Sequence, residues 1–216
     1  MTSAPYSPPR NDGLDLVYRD ESIIVANKPA GLLAVPGRGA DKADSLATRL
    51  QPEFPDALAV HRLDMSTSGL MVFARGMQMQ RRLSQMFRDR EVEKRYVAVV
   101  AGRVEPAAGE VDLPIVADWP NRPLRKIDVE SGKPSLTRFH VLSHDAATVT
   151  SRMELEPVTG RTHQLRVHMA AIGHPVLGDA LYGGPPADRL MLHACLLRFI
   201  HPASGTLLNL HCAPPF

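Results

Sequence analysis

The chain has 216 residues, of which 44% are hydrophobic, and it carries a formal net charge of +2 at pH 7. This composition suits one well-filled core and excludes fibrous, collagenous and disordered proteins. No apolar run approaches the roughly 20 residues that a membrane-spanning helix needs, and the polar start lacks the apolar segment of a secretory signal. We therefore expect a cytoplasmic protein that does not enter the membrane, with Cys195 and Cys212 as reduced thiols.

The hydrophobic pattern predicts many strands and few helices. The expected strands cover residues 14–18, 22–27, 69–74, 94–104, 109–116, 127–129, 134–143, 147–155, 190–200 and 206–211. The expected helices cover residues 44–51, 77–90 and 162–172. Because strands and helices do not alternate in a βαβ rhythm, we expect an α+β protein with a largely antiparallel mixed sheet and a few flanking helices. Residues 1–13 are expected to form a loose tail, and residues 14–216 one compact domain.

Basic residues are concentrated in two stretches. Between Arg81 and Arg95, six basic residues stand against three acidic ones, and a second cluster comprises Arg122, Arg125 and Lys126. Basic patches on a near-neutral protein are typical of a phosphate-binding face. From charge alone, a solvated helix face of mixed charge is the alternative.

The most informative stretch is the run HRLDMSTSGL at residues 61–70. It places an imidazole, a guanidinium, a carboxylate and three hydroxyls in eight positions, and it leads directly into an apolar strand. Catalytic groups are often held in this way, because the rigid strand fixes the loop. The alternative is a turn in which Asp64 and the hydroxyls satisfy backbone groups.

Six stretches resemble, in the same order along the chain, motifs of the RluA-type pseudouridine synthase family. They are NKPAGL (27–32), HRLDMSTSGL (61–70), KRYVA (94–98), TGRTHQLRVH (159–168), GHPVLGD (173–179) and LHA (192–194). One HRLD would be weak evidence, but six ordered motifs are specific, and the chain is identified as a member of this family. The resemblance implies the family's catalytic fold and the isomerisation of uridine to pseudouridine in RNA.

The resemblance also implies roles for three residues. Asp64 would be the catalytic carboxylate, and Arg166 would pair with it and keep it ionised. Tyr96 would stack on the uracil and take part in proton transfer. For Tyr96 an ordinary core tyrosine is the alternative, and for Arg166 a phosphate contact.

Five residues are expected to contact RNA. Arg62 resembles the family arginine that enters the RNA where the target base has left, which would offset part of the free energy of extruding that base. The other four residues expected to contact RNA are His61, Arg122, Arg161 and His163.

Neither a metal nor a cofactor is expected. His163 and His168 are five positions apart, and no cluster of acidic or cysteine residues completes a zinc site with them. The chain also has no glycine-rich phosphate loop and no dinucleotide fingerprint. The isomerisation itself needs no cofactor, because the product has the same atoms as the substrate.

The RNA target is suggested by the shortness of the chain. Only about 13 residues precede the first expected strand, so we expect no S4-like RNA-binding domain. Residues 112–123 resemble the short, dual-specificity bacterial members of the family, which act on 23S rRNA and on the tRNA anticodon stem-loop. We expect a monomer with one or both of these RNAs as its partner. A synthase with a single RNA target, a glycosylase that releases the flipped base and a non-catalytic RNA-binding module are the alternatives; the presence of Asp64, Tyr96 and Arg166 argues against the last.

Overall fold

The computed structural model describes residues 6–216. These residues group into two units. The first comprises the described residues through Glu93 together with Ala194–Pro214, and the second comprises Lys94–His193 with Pro215–Phe216. The sequence leads us to expect one domain over residues 14–216, and the division into two units leaves that expectation as a prediction. In the described part of the chain, no helix is long and apolar enough to cross a membrane.

Strands outnumber helices along the described chain. In chain order the elements are β1 (Leu16–Arg19), β2 (Ile23–Lys28), α1 (Leu46–Leu50), β3 (Ala57–Ala59), β4 (Ser68–Arg75), α2 (Met77–Asp89), β5 (Glu93–Ala101), β6 (Ala108–Asp112), β7 (Ile115–Ala117), β8 (Arg125–Ile127), β9 (Leu136–Asp145), β10 (Thr150–Pro157), α3 (Gln164–Ala171), β11 (Leu192–Ile200) and β12 (Leu207–His211). The pairings between β1 and β2, β2 and β4, β9 and β10, and β11 and β12 are all antiparallel. The predicted α+β class with a largely antiparallel sheet and few helices is confirmed.

The first unit is built around the neighbouring strands β2 and β4, which are buried on both faces. Ile24 lies opposite Phe73 in the antiparallel register. Because side chains alternate between the faces of a strand, these two join an apolar cluster with Leu50 of α1. On the opposite face, Val72 joins a second cluster with Leu83 of α2. This packing fixes β4, and the chain enters β4 directly from the loop at residues 61–67.

The second unit has its strands in the order β5-β10-β9-β6, with β7 and β8 as a separate antiparallel pair. Its core is formed where α3 packs on the sheet. Met153 and Leu155 of β10 and Ala98 of β5 join Leu165 and Met169 of α3 in one buried cluster. The helix is thereby held against the sheet at the residues of the TGRTHQLRVH motif.

Two of the differences from the predicted element boundaries have a local physical cause. The strand expected over residues 109–116 is divided into β6 and β7, because Pro114 between them has no N–H to donate to a ladder. The helix expected from Thr162 starts at Gln164, because His163 has φ 58°, in the left-handed region that no residue of a right-handed helix adopts.

The tail preceding β1 is held against the first unit where the structure describes it. The Tyr6 hydroxyl donates to the carbonyl of Asp44 at 3.0 Å and accepts from the N–H of Leu33 at 3.0 Å. The Arg49 guanidinium donates to the carbonyl of Pro9 at 2.6 Å. Residues 6–9 are therefore fixed and not loose as expected, and residues 1–5 lie outside the described residues.

Candidate active site

The loop that carries Asp64 alternates between solvent and core. Arg62 is exposed, Leu63 is buried with 4% of its surface accessible, and Asp64 is half-buried. The Thr67 N–H donates to the Asp64 carbonyl at 3.1 Å and closes a turn. Leu63 thus anchors the loop, while its two charged neighbours keep access to solvent.

A buried lysine ties the Asp64 loop to the NKPAGL segment. The Lys28 ammonium, in a side chain with no accessible surface, donates to three carbonyl oxygens: that of Pro29 at 2.9 Å, of Leu32 at 2.7 Å and of Met65 at 3.0 Å. The Gly31 N–H donates to the same Met65 oxygen at 2.8 Å. The carbonyl of Met65, the residue that follows Asp64, therefore accepts hydrogen bonds from two donors.

The glycine of the HRLDMSTSGL motif is needed for close packing of the backbone. Gly69 has φ +114°, and a Cβ at this position would lie 2.3 Å from the carbonyl oxygen of Ala194 in β11. Any other residue would push β4 and β11 apart or distort the loop end. The far end of the Asp64 loop is thus fixed by this approach.

The contacts of His61 within the first unit are those of a structural residue. Its Nε2 accepts a hydrogen bond from the Val72 N–H at 2.9 Å, so a neutral ring carries its proton on Nδ1. The ring stacks on Phe87 of α2 with centroids 4.5 Å apart. These contacts hold the start of the Asp64 loop against β4 and α2. Contact of His61 with RNA stays a prediction.

Tyr96 lies on β5 in the second unit. It is half-buried, opposite Leu155 in the antiparallel register, and its ring packs against the core of that unit. The core packing matches the ordinary-tyrosine alternative, while partial exposure keeps part of the ring accessible. Stacking on uracil stays a prediction.

Arg166 forms a two-bonded ion pair with Asp179. Its Nε donates to Oδ2 at 2.7 Å and its Nη2 to Oδ1 at 2.7 Å. The exposed fraction is 4% for Arg166 and 1% for Asp179. The guanidinium carbon also lies 5.1 Å from the ring centroid of Tyr182. Pairing with Asp64, the role implied by the resemblance, stays a prediction.

Asp179 and Tyr182 are site residues to which the sequence assigns no role. Asp179 Oδ1 accepts the N–H groups of Leu181 and Tyr182 at 3.0 and 3.3 Å in addition to Arg166. The Tyr182 hydroxyl accepts the Arg125 N–H at 2.9 Å and lies 2.7 Å from Nδ1 of His163. The sequence feature that could have identified Asp179 as a candidate is its position as the last residue of the GHPVLGD motif.

The expected RNA-contacting residues of the TGRTHQLRVH motif lie at the start of α3. Arg161 is exposed, and its Nε donates to the carbonyl of Pro134 at 3.3 Å. His163 is half-buried against Tyr182. Between them and the core, the Gln164 amide accepts from Thr159 and donates to the carbonyl of Leu136. These bonds fix the left-handed turn at His163, and contact of Arg161 and His163 with RNA stays a prediction.

His168 is buried inside the second unit and is not available to a metal. Its Nε2–H donates to the carbonyl of Leu113 at 2.9 Å, which leaves Nδ1 to accept from the Thr137 hydroxyl at 2.9 Å. Burial lowers the pKa of His168 below its ordinary value, so the ring is neutral at pH 7. Among residues 6–216, no group of three or more His, Cys, Asp or Glu side chains is arranged to hold a metal ion.

Comparison with known proteins points to one family. Residues 22–171 match the RNA pseudouridylate synthase family. The chain is 49% identical to the dual-specificity RNA pseudouridine synthase RluA of Escherichia coli (strain K12) over 98% of both chains. It is 50% identical to the RluA of Vibrio cholerae serotype O1, over 97% of this chain and 86% of that protein.

Solved structures agree with these sequence relatives. The human RNA pseudouridylate synthase domain containing 1 superposes with a TM-score of 0.80 at 33% identity, covering 97% of this chain and 87% of that one. The human RNA pseudouridylate synthase domain containing 4 superposes with a TM-score of 0.72 at 27% identity, covering 93% of this chain and 88% of that one. The family predicted from the six ordered motifs is confirmed, and the chain belongs to the RNA pseudouridine synthases.

Proposed function

We propose that this chain isomerises uridine to pseudouridine in two structured RNAs, a 23S rRNA stem-loop and the tRNA anticodon stem-loop. The observation that carries the proposal is the 49% identity, over 98% of both chains, to an enzyme named as a dual-specificity RNA pseudouridine synthase. That aligned length supports extending the proposal to the whole chain and not only to the stretch around one motif.

Asp64 is proposed as the catalytic carboxylate. The reaction breaks the bond from N1 of uracil to C1′ of the ribose, rotates the base and joins C5 to C1′, with the C5 proton removed and N1 protonated. Asp64 either attacks C1′ or assists removal of a ribose proton to give a glycal-like intermediate. The support for this role is geometric. The half-buried Asp64 carboxylate follows the buried Leu63 and precedes Met65, whose carbonyl accepts two hydrogen bonds. Such bracing keeps a carboxylate in place while the substrate changes.

Tyr96 and Arg166 are proposed to act on the same uridine as Asp64. Tyr96 offers a ring for stacking and a hydroxyl for proton transfer. Arg166 keeps a permanent positive charge in a buried setting, where a nearby guanidinium favours the ionised form of a carboxylate. The bidentate bond to Asp179 holds that charge in one orientation.

Arg62 is proposed to fill the gap that the flipped uridine leaves in the RNA stack. Its exposure, two residues before Asp64, supports this role. His61, Arg122, Arg161 and His163 are proposed as further RNA contacts. The monomeric state and the cytoplasmic location expected from the sequence belong to the same proposal.

The test is conversion by the purified protein of anticodon stem-loop and 23S rRNA stem-loop transcripts carrying tritium at C5 of uridine. The proposal predicts tritium release at one uridine in each RNA, with the pseudouridine retained in the polymer. Release of free uracil would identify a glycosylase, and binding without tritium release would identify a non-catalytic module. Conversion of only one of the two RNAs would replace dual specificity by a single target.

The cellular counterpart is a map of pseudouridines in total tRNA and rRNA from cells with and without this protein. One site in each RNA class should disappear with the protein and return when it is restored. An unchanged map would contradict the proposal.

A further inference from the structure

The hairpin formed by β7 and β8 ends in an ordered tip at residues 118–124. Ala117 lies opposite Arg125 at the base of the tip. Within the tip, the Asp118 N–H donates to the Leu124 carbonyl at 3.1 Å, and the Asn121 side chain donates to the Asp118 carboxylate at 2.9 Å. The tip therefore holds a defined backbone shape and can present side chains in a fixed orientation.

This tip presents an exposed tryptophan with an arginine stacked on it. The guanidinium carbon of Arg122 lies 3.3 Å from the ring centroid of Trp119. The relative exposure of Trp119 is nevertheless 66%. An indole is among the largest apolar surfaces a residue offers, and leaving it in water forgoes the gain from burial. An exposed, pre-oriented indole with a cation on it has the properties of a binding surface.

We propose that Trp119 and Arg122 form a stacking platform for an unpaired RNA base, distinct from the uridine that is isomerised. This proposal rests on the proposed function. An aromatic face accepts any base, and a guanidinium adds both a stacking plane and a positive charge for the adjacent phosphate. The base of the same hairpin adds the positive charges of Arg125 and Lys126, which suit a polyanionic partner.

The platform lacks what the isomerisation needs. The carboxylate within the tip, that of Asp118, accepts a hydrogen bond from the Asn121 amide. The base it holds is therefore bound and not transformed. Such a contact would position the RNA and would select substrates with an unpaired nucleotide at one set distance from the target, as stem-loops provide.

Trp119 is the chain's only tryptophan, so its fluorescence reports on the platform alone. Anticodon stem-loop RNA is titrated into the Asp64→Asn protein, which keeps the substrate unconverted, and binding is followed in parallel by anisotropy of a labelled RNA. We expect saturable quenching of Trp119 with the same Kd as the anisotropy change. Unaltered emission at saturating RNA would overturn the proposal. Emission that changes with protein concentration in the absence of RNA would overturn it too, by indicating a second copy of the chain as the partner.

Substitutions separate stacking from general loss of structure. Trp119→Ala should weaken RNA binding roughly 5- to 150-fold, the range expected for one stacked base, and Trp119→Phe should restore most of it. Leu142→Ala, at another exposed apolar residue of the same unit, should bind like the parent protein. If the Trp119→Ala protein and its parent bind RNA with equal affinity, the proposed platform is contradicted.

The nucleotide that stacks can be found by placing an abasic residue at each loop position in turn. At one loop position, other than the isomerised uridine, removal of the base should weaken binding to the parent protein. Removal of the same base should cause no further loss of affinity for the Trp119→Ala protein. If the fold losses caused by the abasic residue and by Trp119→Ala multiply at every loop position, no base stacks on the indole. If RNA binds and quenches Trp119 but tritium is never released, the proposed function fails while the platform stands.

Discussion

Arg166 and Asp179 form an ion pair that is almost completely withdrawn from solvent, with both of its hydrogen bonds at 2.7 Å. Removing one partner of such a pair leaves the other charge buried without compensation, whereas an exposed pair contributes little. The pair links α3 to the segment at residues 179–182, since Asp179 also accepts two N–H groups there.

Asp179→Asn should therefore lower the free energy of unfolding by about 3–5 kcal/mol and should reduce turnover, because Arg166 loses its fixed orientation. Urea unfolding and single-turnover tritium release measure the two effects. Glu110→Gln, which opens the exposed ion pair of Arg138 and Glu110 in the same unit, should cost less than about 1 kcal/mol. Similar losses in both variants would contradict the role given to burial.

Lys28→Met should destabilise the first unit and slow catalysis. The carbonyl of the buried Leu32 loses the donor that the structure shows for it, and an unsatisfied buried carbonyl costs roughly 1–3 kcal/mol. The Met65 carbonyl keeps the Gly31 N–H, so we expect the loop to form but to hold Asp64 less firmly. Turnover should fall while the Kd for RNA stays within about twofold. Lys42→Met, at an exposed lysine of the same unit, serves as the control, and a parental rate in the Lys28 variant would refute the bracing role.

His168 should make the stability of the protein depend on pH. Its folded-state pKa lies below the ordinary value of 6.5 because of burial, so below that pH the unfolded chain binds a proton that the folded chain does not. The free energy of unfolding should therefore fall as the pH drops from about 6.5 toward the folded-state pKa. His168→Gln should flatten this slope, and His140→Gln, at an exposed histidine of the same unit, should not. Urea midpoints from pH 5 to 8 measure it, and an unchanged slope in the His168 variant would show that another group is responsible.

Arg62→Ala should slow conversion of a uridine flanked by duplex more than it weakens binding to a loose single strand. Filling the gap in the stack offsets part of an extrusion free energy of a few kcal/mol, so we expect a loss of roughly 10- to 100-fold in kcat/KM. Arg10→Ala, which removes an exposed arginine elsewhere in the first unit, should change neither value. Equal losses on both substrates would mark Arg62 as an ordinary phosphate contact.

The sequence was a good guide wherever a pattern repeats. Alternation and apolar runs predicted the strands around β2 and β4, and ordered motifs predicted the family. Short elements were missed: β3 spans only three residues, Ala57–Ala59, which is too few for a period to show.

Other features depend on tertiary contacts that no local pattern encodes. Lysines are rarely buried, so nothing in NKPAGL indicates that Lys28 binds three carbonyls. The ion-pair partner that the structure gives Arg166 lies 13 residues away, beyond the end of α3, where no helical or strand period reaches it. The start of α3 was placed too early because the left-handed backbone of His163 is sustained by Tyr182 and Gln164 and not by the residue itself.

Asp64 is proposed to carry the chemistry in the HRLDMSTSGL loop. Its most direct test is single-turnover tritium release from an anticodon stem-loop by the Asp64→Asn protein, beside the parent and an Asp188→Asn control at an exposed position. We expect no detectable release with Asp64→Asn, with parental melting temperature and RNA affinity, and a parental rate with Asp188→Asn. Release at the parental rate by a folded Asp64→Asn protein would contradict the account.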